Sequence, residues 1–303
     1  MVKKQKFKVN EINRELPLEK IDFPNPILIG GCGSSGTTLL RRMLNQHPNI
    51  VCGPELSVFD RPCLNELNMT HFYTLWRNED FDFYDKCEVF PLRVNHTGSY
   101  FAFHRDIYFK SEEWEQFFDL ADNPMEMFRI ALSNYAMRCG KKRWAEKTPN
   151  NIFNIRGIMD ANPDALFIEV VRDGRDAVLS LLQRRNMNHM VGSFRWVASV
   201  NAGIYDGSAY PDRYYRIRYE DLAEAPARTL KMICEFLCEE YDPVMLDYWK
   251  FKSEEVSNMG YATQPVFKDS IGKWKRKDID LSLTRGLDLV LREKLVELGY
   301  DTD

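Results

Sequence analysis

The chain has 303 residues, of which 44% are hydrophobic, 13% aromatic and 28% charged, with a formal net charge of −4. This suits one large α/β domain or two small ones with a substantial core, and the acidic balance argues against a general nucleic-acid binder, whose affinity comes from clustered Lys and Arg. Seven cysteines without a CxxC pair fit buried free thiols in a reducing compartment better than a secreted disulfide framework.

Residues 1–25 are polar and begin with the basic run Met1-Val2-Lys3-Lys4-Gln5-Lys6. No apolar h-region follows it, and no apolar run approaches the ~20 residues of a membrane span, so a cytoplasmic setting away from membranes is expected. Phe23-Pro24-Asn25-Pro26 is a rigid lead-in to an apolar strand, Ile27–Gly30. The strand runs into Gly31-Cys32-Gly33-Ser34-Ser35-Gly36-Thr37-Thr38, and a helix follows with Leu39, Leu40, Met43 and Leu44 at helical spacing. A glycine-rich turn at a helix N-terminus leaves backbone N–H groups pointing one way, which makes an anion cradle. Gly31 and Gly36 have the spacing of a Walker A loop, but Thr37 stands where an ATP-using loop carries Lys. The turn therefore suits a phosphate-like group held by hydroxyls and amides, without a Mg²⁺-bridged triphosphate. A tight strand-to-helix connection with no ligand is the competing reading.

The helix stops at Gln46-His47-Pro48-Asn49, where His47 reads as a terminating residue, and a short strand Ile50–Cys52 leads to Gly53-Pro54-Glu55. Residues 60–140 carry aromatics at helical spacing, such as Trp114, Phe117 and Phe118, without a clear strand. Strand character returns at Ala165–Val171, which ends at Arg172. A helix follows over Ala177–Arg185 and carries Ser180 and, one turn on, Arg184. Tyr214–Tyr219 alternates as a strand, Pro226–Cys238 is a helix, and Leu283–Leu298 is an amphipathic helix preceded by the loop Ser270-Ile271-Gly272-Lys273-Trp274-Lys275. With no linker-like break, the expected fold is a single α/β domain over 1–303, a three-layer P-loop-type sandwich with a central parallel sheet flanked by helices. Ligands of such sheets lie beyond the carboxyl ends of the strands.

Arg172, Ser180 and Arg184 make a second anion site separate from the glycine loop, since guanidinium groups suit bidentate phosphate recognition. Pairing of these arginines with Asp173, Asp176 or other carboxylates is the alternative. Two anion sites imply a ligand with phosphates at both ends of a nucleoside. Tyr219 could stack on its base or be plain core.

The loop Gly33-Ser34-Ser35-Gly36-Thr37-Thr38-Leu39-Leu40, the Arg172 and Ser180 pair, Tyr219-Glu220-Asp221-Leu222 and Gly272-Lys273-Trp274-Lys275 together resemble the sulfotransferases that use 3′-phosphoadenosine 5′-phosphosulfate (PAPS). The resemblance runs from about Ile27 to Trp274. Within the family, His47–Glu55 and Trp144-Ala145-Glu146-Lys147-Thr148-Pro149 look more like the tyrosylprotein sulfotransferase branch and its bacterial relatives. The resemblance implies that Ser34, Ser35, Gly36, Thr37 and Thr38 hold the 5′-phosphosulfate end, and that Arg172, Ser180 and Arg184 hold the 3′-phosphate. It places Tyr219 by the adenine and Lys273 in a late loop covering the nucleotide. It also implies Glu55 as catalytic base and Lys147 as the cation stabilising the transferred group. The family usually carries Lys or Arg where this chain has Ser34, so Lys147 or an arginine such as Arg41 would supply that charge.

The expected activity is transfer of a sulfuryl group from PAPS to a hydroxyl, or an amine, of a small-molecule acceptor, leaving adenosine 3′,5′-bisphosphate. No metal is required, and no compact His/Cys cluster is offered. Residues from about 60 to 143 are expected to form much of the acceptor side, with Phe72, Tyr73, Trp76, Phe101 and Phe103 as lining or core and His104 as a reserve base. The alternatives are a tyrosine-containing peptide acceptor, a P-loop kinase-like ATP-dependent enzyme, and a nucleotide-binding protein that has lost turnover, for which Ser34 speaks.

Overall fold

The computed structural model describes residues 12–61, 64, 66–78, 105, 107–185, 187–250 and 268–302. Ile27–Gly30 forms β1, a short strand with every residue buried, as expected of a parallel strand covered on both faces. It is the middle of a five-stranded sheet ordered β2-β3-β1-β4-β5, with β2 at Ile50–Cys52, β3 at Arg143–Lys147, β4 at Leu166–Val171 and β5 at Tyr214–Arg218. Every pairing is parallel. All five carboxyl ends therefore open on one edge.

The helices among the described residues are α1 (Thr37–Leu44), α2 (Met69–Arg77), α3 (Ser111–Leu120), α4 (Pro124–Arg138), α5 (Ile155–Ala161), α6 (Gly174–Arg185), α7 (His189–Tyr205), α8 (Tyr219–Glu224), α9 (Pro226–Leu237) and α10 (Leu281–Glu297). Alternation along the strands builds the layers. Leu28, Val51, Trp144 and Phe167 face a core shared with α3, α4 and α5. Ile27, Ile29, Ile50, Cys52, Ala145, Ile168 and Val170 face α1 and α9. A third cluster joins α6, α7 and α10 around Trp196 and Leu291. Helix α4 starts with Pro124 at its first turn and the Asn123 side chain accepting from Glu126 N–H, and it is buried nearly all round because it crosses the middle of one layer.

The strand β3 has no counterpart in the sequence reading. Three of its five residues, Arg143, Glu146 and Lys147, are charged, yet all five are buried between β1 and β2. Hydrogen bonds make this possible: Arg143 donates to the carbonyls of Asn25 and Leu237 at 2.6 Å each. The aromatic run of residues 60–140 is core where it is described. Phe72 and Trp76 are buried and pack with Trp114, Phe118 and Phe128 in tilted, stacked and edge contacts. Tyr73, beside them, is exposed. Helix α1 ends at Leu44 with Asn45 as its C-cap, ahead of His47, which has one ring nitrogen 2.9 Å from the Glu240 carbonyl and the other accepting from Asn49 N–H. The described cysteines, Cys32, Cys52, Cys139, Cys234 and Cys238, are all free thiols.

Candidate active site

The loop after β1 depends on its glycines at two points. Gly31 has φ 146°, and a Cβ there would lie 2.4 Å from the Val170 carbonyl oxygen. Gly36 has φ 96°, and a Cβ there would lie 2.3 Å from Cδ2 of Tyr219. Ser34 also takes the left-handed conformation, at φ 67°. Helix α1 then starts without a side-chain cap and without an acidic residue in its first turn. Ser35 is wholly buried, and its Oγ has no hydrogen-bond partner. A buried, unpaired hydroxyl beside an uncapped helix N-terminus is a complement for an anion.

The ends of β2 and β3 meet at the same place. Lys147, the last residue of β3, is 2% exposed, and its Nζ lies 3.3 Å from Glu55 Oε2 and 3.4 Å from Thr38 Oγ1. Glu55 is 7% exposed, three residues past the end of β2. Arg41, the other candidate cation, lies elsewhere: its Nη1 donates to the Gly53 and Cys52 carbonyls at 2.9 and 3.4 Å. These bonds hold the turn that carries Glu55, and Lys147 is the residue whose ammonium group reaches Thr38 at the start of α1.

The ends of β4 and β5 carry residues expected at the second anion site. Their register pairs Val171 with Arg218, so Arg172 and Tyr219 follow side by side. The Arg172 guanidinium stands 4.8 Å from the Tyr219 ring centroid. Its Nη1 donates to the Ser34 carbonyl at 3.0 Å, its Nη2 donates to the Ser270 carbonyl, and its buried Nε has no hydrogen-bond partner. The Tyr219 hydroxyl bonds Ser270 Oγ. Arg172 thus ties together the glycine loop, its own strand and the late segment. Of the carboxylates named as alternative partners, Asp176 lies 3.8 Å from Arg172, while Asp173 pairs with Arg175 at 2.8 Å. Ser180 is buried on α6, and Arg184 lies on the same helix with its side chain outside the described residues.

Some contributors carried no sequence signal of their own. Asp176 accepts from Gly272 N–H at 2.7 Å and Trp274 N–H at 3.1 Å, which anchors the turn bearing Lys273. Burial raises the Asp176 carboxyl above its ordinary range. Asp60 is buried near Glu55 and raised by burial, with Arg61 Nε at 3.3 Å and the Asn150 side chain acting against the rise. Glu146 is fully buried beside Lys147, and burial pushes it up to about 7. Phe101, Phe103 and His104 lie outside the described residues.

Residues 26–243 match the profile of the Sulfotransferase family. The chain is 24% identical to protein-tyrosine sulfotransferase 1 of Danio rerio over 95% of this chain and 74% of that protein. It is 23% identical to protein-tyrosine sulfotransferase A of Caenorhabditis elegans over 91% of this chain and 67% of that one. Among solved structures, the sulfotransferase domain of the Synechococcus PCC 7002 olefin synthase superposes with a TM-score of 0.62 at 20% identity, covering 94% of this chain and 99% of that one. The sulfotransferase domain from the curacin biosynthetic pathway gives the same TM-score and identity over 93% of this chain and 99% of that one. At such identities these structures speak to the fold alone.

Proposed function

The chain belongs to the sulfotransferase family, and from that premise we propose that it moves a sulfuryl group from PAPS to an acceptor hydroxyl at the shared edge of the five strands. The observation that carries this reading is Lys147 Nζ standing between Thr38 Oγ1 and the Glu55 carboxylate. The donor set fits PAPS. The unpaired Ser35 Oγ and the uncapped start of α1 suit the 5′ end, and Arg172, with its unpaired Nε, suits the 3′-phosphate. Ser34, Gly36, Thr37 and Thr38 complete the first cradle, Ser180 and Arg184 the second, and Tyr219 and Lys273 the nucleoside side. PAPS supplies the activated sulfuryl group.

The residues divide the chemistry. Glu55 takes the proton from the acceptor hydroxyl as its oxygen bonds to sulfur. Lys147 and the N–H groups opening α1 stabilise the negative charge that gathers on the bridging oxygen, which stays with the departing phosphate as its bond to sulfur breaks. Arg172 fixes the far end of the nucleotide, which sets the line of attack. None of these roles needs a metal ion. The first reading takes a small molecule as acceptor. A second reading, a tyrosine-containing peptide, is favoured by the names of the relatives in fish and nematode.

Calorimetric titration of adenosine 3′,5′-bisphosphate with EDTA present, against Mg-ATP, tests the donor. Metal-free binding supports the proposal, and preference for Mg-ATP overturns it in favour of a kinase-like enzyme. Labelled PAPS offered with a panel of small phenols and alcohols beside acidic tyrosine peptides then separates the two acceptor readings.

A further inference from the structure

The turn that carries Glu55 has no regular secondary structure, yet the residues around Glu55 are fastened on both sides. The Gly53 carbonyl accepts from Arg41 at 2.9 Å, and the Pro54 carbonyl accepts from the Tyr108 hydroxyl at 2.6 Å. Past Glu55, Leu56 N–H donates to Glu146 Oε1 at 3.1 Å, and Ser57 N–H donates to Thr148 Oγ1 at 3.0 Å. The Thr148 hydroxyl in turn donates to the same Glu146 Oε1 at 2.7 Å, and Asn151 Nδ2 donates to Oε2 at 2.7 Å. Glu146 is 0% exposed and cannot touch an acceptor.

We infer that Glu146 is a positioning residue for the base: its carboxylate holds Leu56 directly, and Ser57 through Thr148, against the end of β3. This rests on the reading of Glu55 as the base. The residues that hold the base, Glu146 and Thr148, flank Lys147 in the chain. One short piece of backbone therefore registers the proton acceptor against the cation that stabilises the leaving oxygen. Such register matters because a base must come within hydrogen-bond reach of the proton it removes, and a shift of about 1 Å can cost a hundredfold in rate.

The arrangement is costly to the fold. Burial, with Asp60 adding in the same direction, pushes Glu146 up to about 7 against the pull of Thr148, Asn151 and Leu56 N–H. On the facing side stands the Tyr108 hydroxyl, itself held well above its ordinary range by burial. A buried carboxyl group that burdens the fold while fastening the turn of the proposed base is what a trade of stability for function produces.

The experiment compares Glu146→Ala, Glu146→Gln, Thr148→Val and Glu55→Gln. Turnover is read as release of adenosine 3′,5′-bisphosphate from PAPS with 4-nitrophenol, and with water alone where the phenol adds nothing. Nucleotide affinity is read by calorimetry, and the turn by amide exchange at Leu56 and Ser57. Glu146→Ala is expected to lower kcat at least about tenfold and Thr148→Val about three- to tenfold, with nucleotide affinity held within about twofold and faster exchange at both amides. Glu146→Gln keeps an acceptor oxygen, and its new N–H meets Asn151, whose Oδ1 has no hydrogen-bond partner and can be turned toward it. It is expected to recover kcat to within about threefold of wild type.

Wild-type kcat in Glu146→Ala and Thr148→Val, beside a crippled Glu55→Gln, would overturn the positioning role and leave the base in place. An active Glu55→Gln would remove the base and this inference with it. Should Glu146→Ala not fold, Thr148→Val decides, since it changes shape least.

Discussion

Lys147 Nζ stands 3.3 Å from Glu55 Oε2 and reaches Thr38 Oγ1 at 3.4 Å. One buried ammonium group thus connects the proposed base to the start of α1, the proposed seat of the phosphosulfate. Under the proposed function, with Ser34 in the glycine loop, Lys147 is the cation assigned to the transferred group. Lys147→Ala is predicted to lower kcat by about a hundredfold or more, with a smaller effect on binding of adenosine 3′,5′-bisphosphate, and Lys147→Arg to recover part of the loss. Steady-state turnover beside calorimetry checks this. A variant losing affinity and rate in equal measure would assign Lys147 to binding instead.

The Ser35 hydroxyl is buried without a partner in the free protein. Removing it relieves an unsatisfied group, so Ser35→Ala is predicted to leave the melting temperature unchanged or raised. The same change takes a donor from the 5′ cradle and should weaken nucleotide binding about five- to tenfold. Unchanged affinity in the variant would mean that Ser35 is merely a turn residue.

Arg172 joins Ser34, Ser270 and the Tyr219 ring. Its alanine variant could lose affinity by loosening these contacts as well as by losing the phosphate bond, and the choice of ligand separates the two causes. Arg172→Ala is predicted to weaken adenosine 3′,5′-bisphosphate about a hundredfold and adenosine 5′-monophosphate, which has no 3′-phosphate, by less than about threefold. Equal losses for both nucleotides would contradict the assignment of this arginine to the 3′ end.

Glu146 titrates in the fold at about 7, above its ordinary 4.5, with burial the main cause. The folded chain therefore holds this proton between those values while the unfolded chain has released it. The stabilising contribution is full below about 4.5 and is lost as pH rises through about 7; its size is of the order of 3 kcal/mol. Asp60, Glu169, Asp176 and Glu220 are likewise raised by burial and act with the same sign, so the difference between wild type and Glu146→Gln isolates this one group. Denaturant unfolding at pH 5 and pH 8 is predicted to show the variant gaining on wild type at the higher pH. A constant difference across the two pH values would refute the raised carboxyl.

Much of the fold was legible because the signals were local. The apolar strands β1 and β4, the glycine turn at Gly31 to Gly36, and Arg172 at a strand end each declare themselves within a few residues. The helix α3 was visible in the spacing of Trp114, Phe117 and Phe118. By contrast, β3 was hidden. Arg143, Glu146 and Lys147 break the apolar pattern that marks a buried strand, and their burial is offset by bonds to residues far away in sequence, such as Leu237 and Leu56. The sequence signal available there was the Glu146-Lys147-Thr148-Pro149 motif, which points to chemistry and says nothing of strand.

By itself, the sequence determined the family and the parallel α/β fold, and its glycine- and hydroxyl-rich turn and separate arginine are what the proposed nucleotide rests on. Only the tertiary structure decided where the cations and acids stand. Arg41 and Lys147 are equally basic on paper, but parallel pairing of β3 between β1 and β2 brings Lys147 to Thr38 and Glu55, while Arg41 donates to the carbonyls of Cys52 and Gly53. Glu55 and Glu146 are likewise equivalent as letters, and burial with three donors makes one of them a clamp. The physical reason is that residue type fixes what a group can bind, whereas the neighbours that desolvate it and satisfy its hydrogen bonds come from distant parts of the chain.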